Sequence, residues 1–363
     1  MEKSRERNAS VKIAFIVANV VFLLCFFATF EVRADDVATV SEMDLSGASE
    51  VFANALMEGK TSLNIEKYNI PNDKVGELIR YSKFKNPMIF WYPETVEYSF
   101  SSPTKVVSEL TWEQSYTDFS EIQEMEKELE EKLRQALNVA FNREMTDLEK
   151  IISAHDFLTE TVEYKLEDEF SYTIYSVLVR NKGVCEGYSL AFKQLMDYAG
   201  IECHIVISES LNHSWNIVKL DGEYYHVDVT FDDPEIKYNG AKITNGRETH
   251  KKLLCSDESF GCEADDVILC GDVPLPECKS RKYDNAFFKD VVGSMEYHGG
   301  EWYYVEPNEY INQSRKILCY KDGEVSVFLE SEKPVYSVAS HSGELYYSIG
   351  DTVYVSDFSG KGE

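Results

Sequence analysis

One cysteine, one histidine and one aspartate within residues 183–234 have the types and order that acyl-transfer chemistry needs. Cys185 lies in the first turn of a predicted helix, and His213 and Asp228 lie on the two strands of a predicted hairpin. Unpaired amides at a helix N-terminus favour a thiolate, although the adjacent Glu186 opposes this slightly. The pattern predicts Cys185 as the nucleophile, His213 as the base and Asp228 as the carboxylate that orients the imidazole.

The predicted helix that carries the cysteine is amphipathic. Apolar side chains recur at three- and four-residue spacing, at Leu190, Ala191, Leu195, Met196 and Ala199. Gly200 follows as a C-terminal stop, and Gly183 is expected to allow a tight backbone turn before the cysteine. These signals place residue 185 at the start of the helix.

The predicted hairpin fixes the other two groups. Asp221-Gly222 is a strong two-residue turn signal, and centring the turn there sets Leu220 opposite Glu223. His213 and Asp228 are then diagonal neighbours on one face, with backbones about 7–8 Å apart. Trp215, Ile217, Tyr224 and His226 share that face, whereas Val218, Leu220, Val227 and Val229 form a packing face.

Three stretches resemble the transglutaminase-like superfamily, a branch of the papain-like cysteine enzymes: GVCEGYS, HSWNIVKLDGEYYHVDVTFDDP and HDFLTETVEY. The resemblance covers roughly residues 145–285. It implies an α+β fold in which a papain-like core packs the nucleophile helix on an antiparallel sheet. It also implies the same three roles for Cys185, His213 and Asp228, and it places Trp215 in the substrate cleft. Tyr175 and Tyr188 are further predicted to bind substrate.

A second helix is predicted upstream of the nucleophile. Thr146 and Glu149 form a capping-box signature, and an apolar stripe from Leu148 to Val162 follows it. His155 lies on or beside this stripe and is expected to be a core histidine rather than a catalytic group. By the resemblance, this helix packs behind the nucleophile.

The resemblance leaves the reaction open, because the superfamily includes cross-linkers, proteases, deamidases and inactive relatives. Water as the second reactant gives a protease or deamidase, and an amine gives a cross-linker. The alternative is a catalytically silent cell-surface binding or structural module. No cofactor and no metal are predicted, because the cysteines near residues 255–278 lack CxxC spacing and Asp232-Asp233 fits a strand-end turn better than a calcium site.

The first 34 residues have the pattern of a targeting segment. A basic start precedes a nearly apolar run from Ile13 to Phe30, and Val32-Arg33-Ala34 fits a cleavage site. We predict a cleaved signal peptide, with an uncleaved membrane anchor as the alternative. Either reading predicts a secreted or extracellular cell-surface protein.

The charge balance is strongly acidic. Residues 1–34 hold five basic and three acidic residues, which leaves 31 basic and 61 acidic residues in the predicted mature chain. This charge disfavours nucleic acid and anionic membrane as partners. The expected partner is a protein or peptide substrate, including cell-wall peptides, and a membrane contact is expected only through an uncleaved N-terminal segment.

Seven cysteines remain beyond the predicted signal peptide. Six of them could pair in an exported protein and leave Cys185 free, so we predict that these six are not all free thiols. Cys203 is expected to be a buried thiol in a strand, a reading that the resemblance supports.

Four regions are predicted along the chain: 1–34, 35–144, 145–290 and 291–363. In the second region, residues 35–59 read as polar and then helical, and residues 62–111 read as strands and turns, with strands at MIFWY, TVEYSF and KVVSELTW. A long helix is predicted over residues 118–141. The last region reads as short aromatic strands joined by tight turns and resembles part of a β-propeller, with too few strands to close a ring.

Overall fold

A computed structural model describes residues 9–14, 42–116, 118–143, 145–234, 236–238, 241–243, 248–262, 264, 266–269, 274–308 and 313–359. Within the predicted targeting segment, Ala9–Ala14 forms a strand. Most of the apolar run and the proposed cleavage site after Ala34 lie outside the described residues. Among the helices in the described ranges, none is both long enough and apolar enough to cross a membrane.

The chain divides into two compact units, Met1–Lys127 with Cys270–Val273, and Glu128–Leu269 with Pro274–Glu363. The first unit contains a four-stranded antiparallel sheet of order β1-β3-β4-β2 and two helices. Its elements are β1 (Ala9–Ala14), α1 (Leu45–Met57), β2 (Ser62–Asn64), α2 (Val75–Lys85), β3 (Thr95–Phe100) and β4 (Val107–Trp112).

The first unit differs from the sequence prediction in two places. Helix α2 occupies a region expected to hold only strands and turns, and it buries Val75, Leu78, Ile79 and Ser82 at helical spacing. The MIFWY run is not a strand. It is an irregular connection whose Ile89, Phe90 and Trp91 are buried, so its apolar character reflects burial rather than sheet pairing.

The long helix α3 (Phe119–Ala140) begins in the first unit and ends in the second. The helices that follow are α4 (Asp147–Thr161), α5 (Ile174–Arg180), α6 (Cys185–Ala199) and α7 (Asp257–Phe260). The predicted capping box of α4 is present, because Thr146 N–H donates to Glu149 Oε2 at 2.6 Å and Glu149 N–H donates to Thr146 Oγ1 at 3.4 Å. Helix α6 ends at Gly200, whose φ of +75° is the left-handed cap.

The core of the second unit is a five-stranded antiparallel sheet with α6 packed on it. Its strand order is β12-β9-β8-β7-β13, and helices α4 and α5 pack against α6. The strands up to this point are β5 (Glu163–Tyr164), β6 (Lys182–Gly183), β7 (Cys203–Ser208), β8 (His213–Leu220), β9 (Glu223–Val227), β10 (Ile236–Tyr238), β11 (Ala241–Ile243), β12 (Leu253–Cys255) and β13 (Ile268–Leu269).

The hairpin register that the sequence predicts is confirmed. Leu220 pairs with Glu223, and Ile217 pairs with His226. Asp221 and Gly222 both have positive φ, at +54° and +86°, as a two-residue turn of this hand requires. The α+β architecture, in which α6 packs on an antiparallel sheet, is also as predicted.

Residues after 293 form two further antiparallel sheets. One has four strands, β14 (Met295–His298), β15 (Glu301–Val305), β16 (Lys316–Lys321) and β17 (Glu324–Glu330). The other has three, β18 (Val335–His341), β19 (Glu344–Ile349) and β20 (Thr352–Ser356). A shared apolar cluster that includes Ile317, Val335 and Leu345 packs them together. The resemblance to propeller blades stays a prediction.

Candidate active site

Close backbone packing sets the position of Cys185 at the start of α6. A Cβ atom at Gly183 would lie 2.5 Å from Val177 Cγ2, and one at Gly187 would lie 2.9 Å from the carbonyl oxygen of Ser171. Glycine is therefore needed on both sides of the cysteine because the preceding segment approaches so closely. Glycine is needed at position 183 because of this close approach and not because of a left-handed backbone, since the φ of Gly183 is not positive.

His213 and Asp228 meet across the hairpin on one face of the sheet. His213 Nε2 lies 2.8 Å from Asp228 Oδ2. The other carboxylate oxygen of Asp228 accepts the Thr230 hydroxyl at 2.8 Å and the Phe231 N–H at 3.1 Å. Asp228 is 3% exposed, so its carboxylate is buried but hydrogen-bonded on both oxygens.

The thiol and the imidazole form a charge-stabilised pair. Burial disfavours a thiolate at Cys185, but hydrogen bonds from His213 and Ser214 and the charge of His213 outweigh it and lower the thiol pKa. Burial also disfavours an imidazolium at His213, but Asp228 and Cys185 outweigh it and raise the pKa to about 10. A lowered thiol pKa beside a raised imidazole pKa shifts this pair towards the thiolate and the imidazolium.

The indole of Trp215 packs against one face of the His213 imidazole. Its ring stacks on His213, with centroids 5.7 Å apart and an interplanar angle of 21°, and it is 1% exposed. Its Nε1–H donates to His226 Nδ1 at 3.0 Å, and His226 Nε2 lies 2.9 Å from Asp257 Oδ1. Trp215 is therefore buried against His213, and little of its surface is open to a substrate cleft.

The two tyrosines predicted to bind substrate are also buried. Tyr175 is 6% exposed and donates its hydroxyl to Glu128 Oε2 at 2.7 Å. Tyr188 is 1% exposed and donates its hydroxyl to Asp233 Oδ2 at 2.7 Å. Buried rings with occupied hydroxyl groups pack the core around α6 and offer little surface to a substrate.

Sequence reasoning missed two groups that the fold brings to the thiol. Tyr164 is 41% exposed, and its hydroxyl accepts the backbone N–H of Cys185. Ser214 hydrogen-bonds to the Cys185 thiol. Ser214 adjoins the predicted base, which is a weak sequence signal. Tyr164 ends the HDFLTETVEY stretch, but sequence reasoning assigned it no role, because its place depends on the parallel pairing of β5 with β6, where Tyr164 pairs with Gly183.

The prediction that the other cysteines are not all free is wrong for the described residues. Each described cysteine carries a free thiol: Cys185, Cys203, Cys255, Cys262, Cys278 and Cys319. Cys255 and Cys278 share one buried apolar cluster with Trp215, where they pack as small hydrophobic side chains. Cys203 is a buried thiol at the start of β7, as predicted. Cys270 lies outside the described residues.

Two groups of described side chains bring three possible metal ligands together, His155 with Asp156 and His250, and His226 with Asp257 and Cys278. In the second group, the indole of Trp215 can only donate, so Nδ1 of His226 must accept and Nε2 carries the proton of the neutral ring. Burial lowers the pKa of His226 and favours that neutral form. The Nε2–H then donates to Asp257, which leaves no lone pair for a metal.

Comparison with known proteins agrees with the geometry of this region. Residues 135–229 match the family model described as the transglutaminase-like superfamily. A curated relative, the kyphoscoliosis peptidase of Mus musculus, is 25% identical over 118 residues, which cover 27% of this chain and 18% of the relative. The chain thus matches less than a fifth of the length of that protein.

Solved structures share only a distant likeness with the chain. The crystal structure of a TGase is 12% identical, covers 37% of this chain and 44% of its own, and has a TM-score of 0.27. A putative cysteine protease from Cytophaga hutchinsonii is 12% identical, covers 57% and 54%, and has a TM-score of 0.25. These TM-scores are too low to establish a common overall fold.

Proposed function

Since residues 135–229 match the transglutaminase-like superfamily, we propose that this chain is a cysteine enzyme that transfers the acyl group of an amide through a thioester on Cys185. The observation that carries the proposal is the position of His213. Its imidazole hydrogen-bonds to the Cys185 thiol on one side and to Asp228 on the other. Such an arrangement supports nucleophilic catalysis by a thiolate.

The chemistry proceeds in two steps. The Cys185 thiolate attacks the amide carbonyl carbon, a C–S bond forms, and the carbonyl π electrons move to oxygen. When the oxyanion collapses, the C–N bond breaks, and the His213 imidazolium gives its proton to the departing nitrogen. Water or an amine then attacks the thioester, His213 accepts its proton, and the C–S bond breaks to restore the thiolate. Asp228 holds the imidazole and stabilises its charged form.

We further propose that the Cys185 N–H and the Tyr164 hydroxyl are the donors that stabilise the oxyanion. The backbone N–H of Cys185 donates to the Tyr164 hydroxyl, so the amide and the phenol meet next to the thiol. Burial raises the pKa of Tyr164, which keeps the phenol neutral and able to donate. A substrate carbonyl oxygen that replaces the contact between the Cys185 N–H and the Tyr164 hydroxyl can accept a hydrogen bond from each of them. This is the arrangement of an oxyanion hole.

The proposal includes an exported enzyme that acts on a protein or peptide, with cell-wall peptides among the candidates. The basic start and the apolar run before Ala34 support export. The acidic composition supports a partner other than nucleic acid. N-terminal sequencing of the extracellular protein tests export, and a chain that retains Met1 and stays with the membrane would contradict cleavage.

Mass spectrometry of peptide mixtures tests the reaction itself. The protein is incubated with peptides from cell walls and from denatured proteins, with and without a primary amine. We expect a thioester adduct on Cys185 and a product that has gained water, lost ammonia or acquired the amine. The Cys185→Ala variant is the control. Identical spectra for the two proteins across all mixtures would favour the silent binding module instead.

A further inference from the structure

A buried cluster behind the proposed active site has the donor set of a metal centre. It consists of His155 and Asp156 on α4 and His250 from the segment before β12. His155 and His250 are 0% exposed and Asp156 is 5% exposed. His155 Nδ1 lies 2.8 Å from Asp156 Oδ1, and His250 Nε2 lies 2.9 Å from the same oxygen. The three ligand atoms thus face one small region.

Two neutral histidines cannot supply enough N–H groups for the acceptor oxygens that face their ring nitrogens. His250 Nδ1 lies 3.1 Å from the carbonyl oxygen of Val291, and His155 Nε2 lies 3.3 Å from Asp232 Oδ2. Together with the two contacts to Asp156, all four ring nitrogens face oxygens that accept. A neutral imidazole has one N–H, so two neutral rings supply only half of the hydrogens needed.

Two arrangements that keep both carboxylates ionised remove this conflict. In one, both rings are imidazolium ions, buried side by side with centroids 5.2 Å apart. In the other, both rings are neutral, each donates its outer N–H to Asp232 or Val291, and a divalent cation replaces the two inner protons. Both arrangements balance the charges of Asp156 and Asp232, but the second avoids placing two like charges together in a buried site.

Two further observations favour the cation. Asp156 Oδ2 is buried and has no hydrogen-bond partner among the described residues. A carboxylate that binds a metal through both oxygens gives Oδ2 a partner. Metal-binding histidines usually donate their second ring N–H to a carboxylate or a backbone carbonyl, which is what Asp232 and Val291 offer here. The Asp232 carboxylate is itself held by the Thr249 hydroxyl and the Lys252 N–H, both at 2.8 Å.

We propose that His155 Nδ1, His250 Nε2 and the Asp156 carboxylate bind a structural divalent transition-metal ion of the Zn²⁺ class. Two imidazoles and one carboxylate suit such an ion better than Ca²⁺ or Mg²⁺, which prefer oxygen ligands. The burial of all three residues leaves no open position for a substrate, so the ion joins α4 to the segment at His250. The proposal is independent of the acyl-transfer chemistry.

Metal analysis of the full chain, expressed without a polyhistidine tag and with zinc in the medium, tests the proposal. We expect about one zinc ion per chain, with nitrogen and oxygen neighbours at about 2.0–2.1 Å and no sulfur near 2.3 Å by X-ray absorption. His250→Ala should lose the ion. Cys278→Ser, which removes the only sulfur of the other described ligand group, should retain it.

A second measurement covers the case in which His250→Ala does not fold. A chelator should lower the Tm of the wild-type protein, and added Zn²⁺ should restore it. Metal-free wild-type protein whose Tm responds to neither treatment would overturn the proposal in favour of two buried imidazolium ions. A sulfur neighbour of the zinc ion in the X-ray absorption spectrum, or loss of the ion in Cys278→Ser, would also overturn the proposal.

Discussion

The indole N–H of Trp215 donates a 3.0 Å hydrogen bond to Nδ1 of His226, and this contact connects the proposed base to a second buried histidine. The indole stacks on His213, and the imidazole of His226 reaches Asp257 through its other nitrogen. His213 is thus held by Asp228 at its edge and by the anchored Trp215 at its face. Both supports belong to the β8–β9 hairpin, and Asp257 anchors the Trp215–His226 contact from outside that hairpin.

We expect His226→Phe to destabilise the protein and to lower kcat. The substitution preserves an aromatic ring against Phe260 but leaves the indole N–H buried without an acceptor, which costs about 1–3 kcal/mol. The control is Tyr225→Phe, which removes a hydroxyl 2.6 Å from Ser280 Oγ at the next position of β9. Chemical denaturation and kinetics separate the two, since only His226→Phe should lower kcat. An equal loss of kcat in both variants would contradict a role for Trp215 in positioning His213.

Substitution of the three proposed catalytic residues should give a defined order of activities. Cys185→Ala and His213→Ala should each lower kcat by roughly 10⁶-fold, because thiol and imidazole act as a unit, and Asp228→Asn by roughly 10⁴-fold. The cost of Cys185→Ala in unfolding free energy should be about 1 kcal/mol or less. Cys262→Ser is the matched control, as Cys262 is a partly exposed thiol outside the site. Full activity in Cys185→Ala would exclude the thioester mechanism.

Tyr164→Phe should lower kcat by roughly 10²–10³-fold, because it removes one of the two proposed oxyanion donors. The KM and the rate of Cys185 alkylation should change little, since the hydroxyl contacts the amide rather than the thiol. Tyr172→Phe is the matched control, because Tyr172 is another tyrosine whose pKa is raised by burial and by the charge of Cys185. If both variants lose kcat to the same extent, Tyr164 has no specific role in stabilising the oxyanion.

The pH dependence of kcat/KM follows from the two shifted groups. The pKa of Cys185 is lowered, so activity should fall on the acid side as the thiolate is protonated there. The pKa of His213 is raised to about 10, so activity should fall on the alkaline side as the imidazolium loses its proton. Asp228→Asn should move the alkaline limb to lower pH, because the Asp228 carboxylate is the main group that raises the His213 pKa. An unchanged alkaline limb in that variant would assign the limb to another group.

The sequence predicted those parts of the site that depend on local signals. Asp221-Gly222 sets the hairpin register, and that register alone brings His213 and Asp228 to one face. Thr146 and Glu149 mark the start of α4, and Gly200 marks the end of α6. Each of these signals acts within a few residues of the structure that it specifies, so a reading along the chain can find it.

The sequence did not predict the parts that depend on distant contacts. His250 meets Asp156 across 94 residues, and no local pattern connects them. Trp215 and Tyr188 are aromatic residues near the proposed triad, but only the packed structure shows that both are buried. Helix α2 is a different case, because its apolar spacing at Val75, Leu78 and Ile79 was present but lay between runs that favour strands.

The rate at which iodoacetamide modifies each cysteine at pH 7 tests the central claim most directly, because it reports the thiolate and needs no substrate. Peptide mass spectrometry of the folded protein should show Cys185 modified faster than Cys262, the other described cysteine that is not buried. The difference should shrink in His213→Ala, which removes the main group that lowers the Cys185 pKa. Modification of Cys185 no faster than Cys262, or a rate unaffected by His213→Ala, would contradict the thiolate–imidazolium pair on which the proposed mechanism rests.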